Sequence, residues 1–285
     1  MEAEMDDLLD RFQGCLVGLA VGDALGGPVE GCTVNEIAAR YGRLIEMVGG
    51  GWLGLRPGET TDDTAMMLCI ARSIVHQGRF DPDDVAQHFL GWFRSRPKDI
   101  GNTTRRALVE LERGAPWKRA GLQAHRALGG MSAGNGSIMR CAPVALLHYC
   151  HEHLLIRDSV YSSIITHFDQ KASWGAVAVN LAIARLLDGG KEGLVEAVAS
   201  KIAQKDARRA LTQVPSLKDV PIEVQAGVRR GEEDRTNAFL DGLAVCAVDR
   251  EVANRAGPTS GNTAGGALPS ILLTASSPAP QWAGN

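Results

Sequence analysis

The sequence predicts an all-α protein, and three observations support that prediction. Apolar residues recur every three or four positions in several segments, which is the pattern of amphipathic helices. No series of segments shows the alternation of apolar and polar residues that is typical of β-strands, and no repeat of fixed length is found. The chain has 33 glycines and only 5% aromatic residues, which favours helices packed closely around a site lined by backbone.

The composition limits the class of protein. A chain of 285 residues suits one large domain better than two small ones. Its 45% apolar and 22% charged residues exclude a wholly disordered chain. With a net charge of −3, the chain has no overall positive field for nucleic acid or an anionic membrane. No run approaches the roughly 18–20 uninterrupted apolar residues of a membrane-spanning helix.

The cysteines and the N-terminus predict a cytoplasmic protein. The six cysteines are scattered without a CxxC pair, which indicates reduced thiols instead of disulfides or a zinc ribbon. The first ten residues are acidic, whereas a secretory signal begins with a basic region.

The first predicted elements run to residue 75. An apolar stripe predicts a helix over residues 6–24, which the Gly/Pro-rich segment at 22–28 should end. Residues 40–60 are rich in glycine and predict a loop. A helix restarts near Thr61 or Asp62, with its predicted buried face formed by Met66, Met67, Ile70, Ala71, Ile74 and Val75.

The remaining elements are also predicted to be helices. Asp81 and Pro82 form a predicted cap and first turn for the next helix. Another helix should begin near Asn102 and end by Gly114. A glycine-rich loop at 129–136 precedes helices predicted over residues 137–149, 157–167, 170–188 and 192–204.

Two motifs supply carboxylates. TTDDT at residues 60–64 places adjacent aspartates at a helix start, where they could bind Mg²⁺ or Mn²⁺ through hard oxygen ligands. The same residues could simply cap the helix. GDALGGPVE at residues 22–30 ends in Glu30, which could reach into a cleft or lie exposed in a turn.

Two further motifs combine glycine with polar residues. In DIGNTT at residues 99–104, Asp99 could accept hydrogen bonds from sugar hydroxyls, or the motif could be another helix cap. GNGSIMR at residues 134–140 could present backbone N–H groups to a phosphate. The alternative there is a tight turn with Asn135 in a left-handed conformation.

Two histidine-containing segments complete the set. In THFDQKA at residues 166–172, His167 could bind a ligand with Asp169 orienting it, or it could be a satisfied histidine at a helix junction. HYCHEH at residues 148–153 matches no zinc spacing and indicates a polar helix end.

In their order along the chain, the five motifs GDALGGPVE, TTDDT, DIGNTT, GNGSIMR and THFDQKA resemble the ADP-ribosylglycohydrolase family. The resemblance covers roughly residues 10–190. It implies a compact all-α domain, which we place at residues 1–265, and a two-metal centre holding Mg²⁺ or Mn²⁺. The implied reaction is hydrolysis of the glycosidic bond that joins ADP-ribose to a protein side chain or a small acceptor.

The resemblance also assigns residues by position. The metal ligands correspond to Thr61, Asp62 and Asp63. Glu30 corresponds to a metal ligand or general base, and Asp99 to an acidic residue beside the ribose that either stabilises the sugar or protonates the leaving group. The ADP-ribose cleft corresponds to Gly101, Asn102, Gly134, Asn135, Gly136, Ser137, Met139 and His167.

The C-terminal part departs from the family pattern. A GDxD[ST] motif that completes the metal site is expected there, but residues 256–265 contain no carboxylate. This indicates either natural divergence or a shifted reading frame, with residues 266–285 as a disordered or aberrant tail. We therefore expect at best one weak metal site, with activity lowered or lost.

Two other functions remain open from the sequence. The chain could be a catalytically inactive ADP-ribose-binding protein that kept the cleft and lost the metals. It could also be a divalent-metal phosphohydrolase of unrelated fold.

Overall fold

The computed structural model describes residues 2–212, and within that range the chain is α-helical with no β-strand. Two short 3-10 turns, Gly27–Val29 and Asn135–Ser137, interrupt the helices. The helices are α1 (Glu2–Gly26), α2 (Val34–Tyr41), α3 (Asp62–Gln77), α4 (Pro82–Arg94), α5 (Asn102–Glu112), α6 (Trp117–Ala127), α7 (Ala142–His148), α8 (Glu152–Ile164), α9 (Gln170–Leu187), α10 (Leu194–Lys201) and α11 (Lys205–Thr212). The predicted all-α class is confirmed. The predicted domain end at residue 265 and the tail 266–285 lie outside the described residues.

Helix α1 is long, and its residues after Arg11 are mostly apolar or glycine. The segment Asp6–Val29, which runs from α1 through the Gly27–Val29 turn, spans 24 residues with a mean hydropathy of 1.2, which is enough by length and composition to cross a membrane. A buried core helix passes the same test, and 39% of the apolar window is buried inside the molecule. Helix α1 packs on α3, α7 and α9, so its apolar face has partners within the fold.

The glycine-rich segment between α2 and α3 is a loop, as predicted. Helix α2 was not predicted, and it begins with a capping box in which Thr33 and Glu36 bond each other's backbone N–H groups. The loop then folds back on itself through a backbone pair between Gly50 and Leu55. Gly51, with a positive φ, lies so close to the backbone of Pro28 that a Cβ would come within 2.7 Å of its carbonyl oxygen.

Helices α3 and α4 begin at the predicted positions. In α4 the Asp81 side chain accepts hydrogen bonds from the backbone N–H groups of Asp83 and Asp84, which confirms the predicted cap. The predicted buried face of α3 is wrong at Val75, which is 58% exposed. It lies close to the helix end at Gln77, where the chain leaves the core.

The core consists of two clusters of buried side chains. The first surrounds α9, whose central residues are buried on all sides by α1, α7, α8 and α10. The second lies between α3, α4, α5 and α6. The segment Ile138–Ala145 contributes to both clusters and so joins the two halves.

Several predicted helix bounds are wrong. The helix predicted over residues 137–149 begins only at Ala142, because the preceding residues form the second 3-10 turn and a bend. Helix α8 starts five residues earlier than predicted. Helix α6 was not predicted; its Gly121 lies so close to the carbonyl of Ile164 that a Cβ would collide with it.

Candidate functional site

The N-terminus of α3 is organised by Asp23, which lies near the end of α1. Its Oδ1 accepts hydrogen bonds from the N–H and hydroxyl of Thr61 at 3.1 and 2.7 Å. Its Oδ2 accepts from the Thr61 N–H at 2.9 Å, and from the N–H and hydroxyl of Thr64 at 3.1 and 2.6 Å. The buried Asp23 carboxylate therefore caps α3 from another helix, while Thr61 at the cap position makes no side-chain cap bond itself.

This cap fixes the first turn of α3, which carries the two adjacent aspartates. Asp62 is buried and Asp63 is half-buried. The helix dipole favours negative charge at this end. The Thr61 hydroxyl donates its hydrogen bond to Asp23, which leaves oxygen lone pairs to accept from or coordinate another partner. Thr61, Asp62 and Asp63 together offer the hard oxygen donors that Mg²⁺ prefers.

Glu30 directly follows the Gly27–Val29 turn, which separates it from Asp23 in α1. Its Oε2 accepts a hydrogen bond from Nε1 of Trp52, at 3.2 Å. Within residues 2–212, no three His, Cys, Asp or Glu side chains are grouped closely enough to hold a metal. The structure therefore does not bring Glu30 into one ready-made ligand group with Asp62 and Asp63.

The residues that precede the DIGNTT and TTDDT motifs, Lys98 and Glu59, form an ion pair at 2.6 Å. Asp99 is buried, and its Oδ2 accepts no hydrogen bond from the described residues. Gly101 is the N-cap of α5. Asn102 is exposed, and its side-chain oxygen accepts a hydrogen bond from Arg106.

The GNGSIMR loop lies against His167. A Cβ on Gly136 would be 2.7 Å from Cε1 and 3.0 Å from Nε2 of His167, and 3.1 Å from Oγ1 of Thr104. A Cβ on Gly134 would be 3.6 Å from the same Nε2. Only glycine at position 136 lets the loop, the histidine and the start of α5 approach this closely.

Other residues of this loop have structural surroundings. Ser137 is fully buried, and its hydroxyl accepts a hydrogen bond from Ser163 at 2.9 Å. Met139 packs in the second core cluster. The alternative of a left-handed Asn135 is wrong, because Arg96 is the only non-glycine residue with a positive φ within the described part of the chain.

A fully buried arginine lies behind the loop. The Arg140 guanidinium donates from Nη2 to the carbonyl of Ser162 at 3.2 Å and to Oγ1 of Thr166 at 2.7 Å. It stacks 4.5 Å from the ring centre of Phe89, and its Nη1 is 3.6 Å from the sulfur of Met66 in α3. Burial lowers the pKa of Arg140 to about 9.

His167 is held through its Nδ1, which lies 2.8 Å from the Thr166 hydroxyl. The predicted orienting role of Asp169 is wrong, because its side chain instead accepts the N–H of Lys171 and caps α9. Burial, together with the nearby Arg140 charge, lowers the pKa of His167 to about 3, so the ring is neutral near pH 7.

The HYCHEH segment is structural, as expected. His148 bonds the buried carboxylate of Asp158 at 2.7 Å, and Arg157 pairs with the same carboxylate at 2.7 Å. This pairing ties the end of α7 to α8.

Three buried groups of the site were not singled out from the sequence: Asp23, Arg140 and Thr166. Each lies within one of the five motifs, but the motif was identified from other residues than this one. A signal did exist for Asp23, since an acidic residue within an otherwise apolar helix end needs buried donors. Nothing in the sequence pattern placed Arg140 behind His167.

The described residues thus form an all-α fold with adjacent aspartates at a helix start and a glycine loop against a buried histidine. The sequence profile of the ADP-ribosylglycohydrolase family matches residues 4–280. The chain belongs to the ADP-ribosylglycohydrolase family.

Named relatives and a solved structure agree with this membership. The ADP-ribosyl-[dinitrogen reductase] glycohydrolase of Rhodospirillum rubrum is 43% identical over 162 residues, covering 55% of this chain and 51% of the relative. The ADP-ribosylarginine hydrolase Tri1 of Pseudomonas putida is 38% identical over 169 residues, covering 57% of this chain and 43% of that relative. This chain thus spans about half the length of these curated relatives. A solved ADP-ribosylglycohydrolase-related protein complex has a TM-score of 0.65 and 28% identity, covering 87% of this chain and 93% of that chain.

Proposed function

We propose that this protein hydrolyses the glycosidic bond between ADP-ribose and a protein side chain in a reaction that depends on Mg²⁺ or Mn²⁺. The observation that supports it most is that the TTDDT, DIGNTT, GNGSIMR and THFDQKA motifs lie in one region of the fold. The fifth motif contributes Asp23, which anchors the N-terminus of α3. The joining contacts are Asp23–Thr61, Glu59–Lys98, Thr104–Gly136 and Gly136–His167.

Arginine is the acceptor we propose to test first. It is supported by relatives named for hydrolysis of ADP-ribosylarginine and of ADP-ribosyl-dinitrogen reductase. A cytoplasmic location is supported by free cysteines at all five cysteine positions in the described residues.

The metal would be held by Thr61, Asp62 and Asp63. Two carboxylates and a hydroxyl suit an ion that keeps several waters, as Mg²⁺ usually does. When bound, the ion would supply positive charge for the ribose hydroxyls and the attacking water. Asp23 contributes by holding the first turn of α3 in place.

The remaining residues bind the substrate and move protons. Backbone N–H groups of residues 134–137 would face the diphosphate, and His167 would donate a hydrogen bond to it or to the neighbouring ribose. Asp99, whose Oδ2 has no partner within residues 2–212, would accept a ribose hydroxyl. Glu30 would take a proton from the water that attacks the anomeric carbon, and the departing acceptor would take up a proton in turn, from Glu30 or from solvent, as its bond breaks.

A second candidate function is ADP-ribose binding without turnover. It is favoured by the absence of Asp and Glu after Glu251 in the sequence. It is also favoured by the lack of a three-ligand metal group in the described part of the chain. Both features predict weak metal binding, because two adjacent cations need shared anionic ligands.

One experiment separates the two functions. Purified protein is incubated with an ADP-ribosylarginine peptide and Mg²⁺ or Mn²⁺, and released ADP-ribose is measured for the wild type and for the Asp62→Ala/Asp63→Ala double variant. Metal-dependent release that the double variant loses supports the hydrolase. Micromolar binding of ADP-ribose in calorimetry with no release identifies the binding protein, and neither binding nor release contradicts both proposals.

A further inference from the structure

Arg140 and Thr166 form a buried hydrogen-bonded chain that ends on the imidazole of His167. Nη2 of Arg140 donates to Oγ1 of Thr166 at 2.7 Å, and that oxygen lies 2.8 Å from Nδ1 of His167. All three side chains are nearly inaccessible to solvent. Bulk water therefore does not compete for these hydrogen bonds.

The donor chemistry fixes the direction of both bonds. A guanidinium only donates, so the Thr166 oxygen is the acceptor toward Arg140. The hydroxyl has one proton, and among the described residues its only other hydrogen-bonding neighbour is Nδ1 of His167. The hydroxyl therefore donates to Nδ1, which must be unprotonated, and the neutral ring carries its proton on Nε2.

The other protonation states are disfavoured by the same contacts. A proton on Nδ1 would direct two donors, from Arg140 and His167, at one hydroxyl and leave the hydroxyl proton without an acceptor. A doubly protonated ring would add a second positive charge beside the buried Arg140.

The Nε2 side of the ring faces the glycine loop. The position of a Cβ on Gly136 is 3.0 Å from Nε2, and that of a Cβ on Gly134 is 3.6 Å away. No hydrogen bond joins Nε2 to the described residues. The Nε2 proton thus faces the Gly134–Gly136 side of the ring, where no described residue accepts it.

We propose that Arg140 and Thr166 are positioning residues that lock His167 as a neutral donor, with its Nε2–H directed at a ligand oxygen beside the Gly134–Gly136 loop. The ligand in this statement rests on the proposed function, whereas the locked tautomer does not. Arg140 can hold the Thr166 hydroxyl in place because the position of its guanidinium is fixed by the Phe89 ring and the Ser162 carbonyl.

The tautomer is tested by NMR of protein labelled with ¹⁵N-histidine. The chain has seven histidines, and His167→Gln assigns the signals of His167. In the wild type we expect a protonated Nε2 and an unprotonated Nδ1. Thr166→Val removes the hydroxyl at nearly constant volume and should mix the tautomers, whereas Thr166→Ser should keep the wild-type pattern. A wild-type spectrum with Nδ1 protonated overturns the proposal without any variant.

A matched control deletes a buried hydroxyl elsewhere. Ser159 in α8 is fully buried and accepts a hydrogen bond from Asn180 at 2.7 Å, which is not part of the Arg140–Thr166–His167 chain of hydrogen bonds. Ser159→Ala should lower stability without changing the His167 signals. If it alters the tautomer as Thr166→Val does, the effect is general loosening and the proposal is wrong.

Calorimetry with ADP-ribose tests the donor role. Thr166→Val should weaken binding about tenfold, or about 1.4 kcal/mol, and Thr166→Ser should remain close to the wild type. Equal affinity in Thr166→Val and the wild type overturns the donor role. If His167 has the locked tautomer but the protein releases no ADP-ribose, the locking stands and the proposed activity is contradicted. If the protein releases ADP-ribose but His167 has mixed tautomers, the activity stands and the locking is contradicted.

Discussion

The two sides of the site differ in how their buried charges are satisfied. At the start of α3, the carboxylate of Asp23 accepts five hydrogen bonds from Thr61 and Thr64. Behind the glycine loop, Arg140 is equally buried, yet its Nε donates to no acceptor within residues 2–212. The Asp23 carboxylate is fully paired within the fold, whereas Arg140 keeps one N–H without an acceptor among the described residues.

This difference separates stability from binding. Where every donor and acceptor is paired internally, a substitution leaves buried groups unsatisfied and lowers the free energy of unfolding. Where a group faces a ligand, a substitution affects mainly affinity. We therefore expect Asp23 variants to unfold more easily, and variants near His167 to bind ADP-ribose less tightly.

The largest expected effect is the loss of stability in Asp23→Ala. Four donors on two residues would lose their acceptor, which should lower the free energy of unfolding by about 3–4 kcal/mol in urea denaturation. The matched control is Asp81→Ala, which removes an ordinary local cap on α4 and should cost about 1 kcal/mol. Equal losses in the two variants would contradict the role of Asp23 as the organiser of α3.

The next effect is a loss of stability in acid that depends on His167. Its pKa is about 3 in the fold and 6.5 ordinarily, so the unfolded chain binds one more proton between these values. The contribution is fully present above pH 6.5 and is lost as the pH falls toward 3, by up to about 1.4 kcal/mol per pH unit. Urea denaturation from pH 7 to 5 should show a shallower decline for His167→Gln, and parallel curves would refute the assignment.

A smaller effect is expected for binding in Gly136→Ala. Its Cβ would be 2.7 Å from Cε1 of His167, so the ring must shift, and ADP-ribose affinity should fall about tenfold or more in calorimetry. Gly134→Ala is the control, because its Cβ would make an ordinary contact at 3.6 Å and its φ of −67° suits alanine. If both variants bind equally, the close approach at position 136 has no part in binding.

The smallest expected effect concerns the surface ion pair between Lys98 and Glu59. Hydrogen bonds from Arg56 and Lys98 lower the pKa of Glu59 to about 2, but the pair is solvent-exposed and screened by salt. Lys98→Met should leave the melting temperature nearly unchanged, while Asp23→Ala lowers it strongly. A large loss in Lys98→Met would mean that the DIGNTT motif depends on this pair for its position.

The helices could be predicted where local signals were strong. The stripe of α1, the Asp81 cap and the restart at Asp62 all follow from periodicity or capping, and they agree with the structure. Helix α2 was missed because it is short and lies next to a glycine-rich segment. Helix α6 was missed because its buried face consists of Trp117, Gly121 and two alanines, which form no clear apolar stripe. The delayed start of α7 reflects tertiary packing, since the residues before it are held by Ser163 and Thr166 and do not continue a helix.

The site could be predicted only as a set of motifs. The sequence identifies Asp62, Asp99 and His167 as candidates, but it does not say which groups hold them. Asp23 and Arg140 act across 38 and 26 positions of chain, on Thr61 and Thr166, and such contacts leave no periodic signal. Whether Glu30 joins the two aspartates on a metal stays a prediction.

The central claim is that ADP-ribose occupies the space between the glycine loop, His167 and the start of α3. A crystal structure of the protein with ADP-ribose and Mn²⁺ tests it most directly. We predict a ligand oxygen within hydrogen-bonding distance of Nε2 of His167, a ribose hydroxyl on Asp99, and manganese density at Asp62 and Asp63. ADP-ribose bound on another surface, with His167 Nε2 facing only protein, would contradict the account.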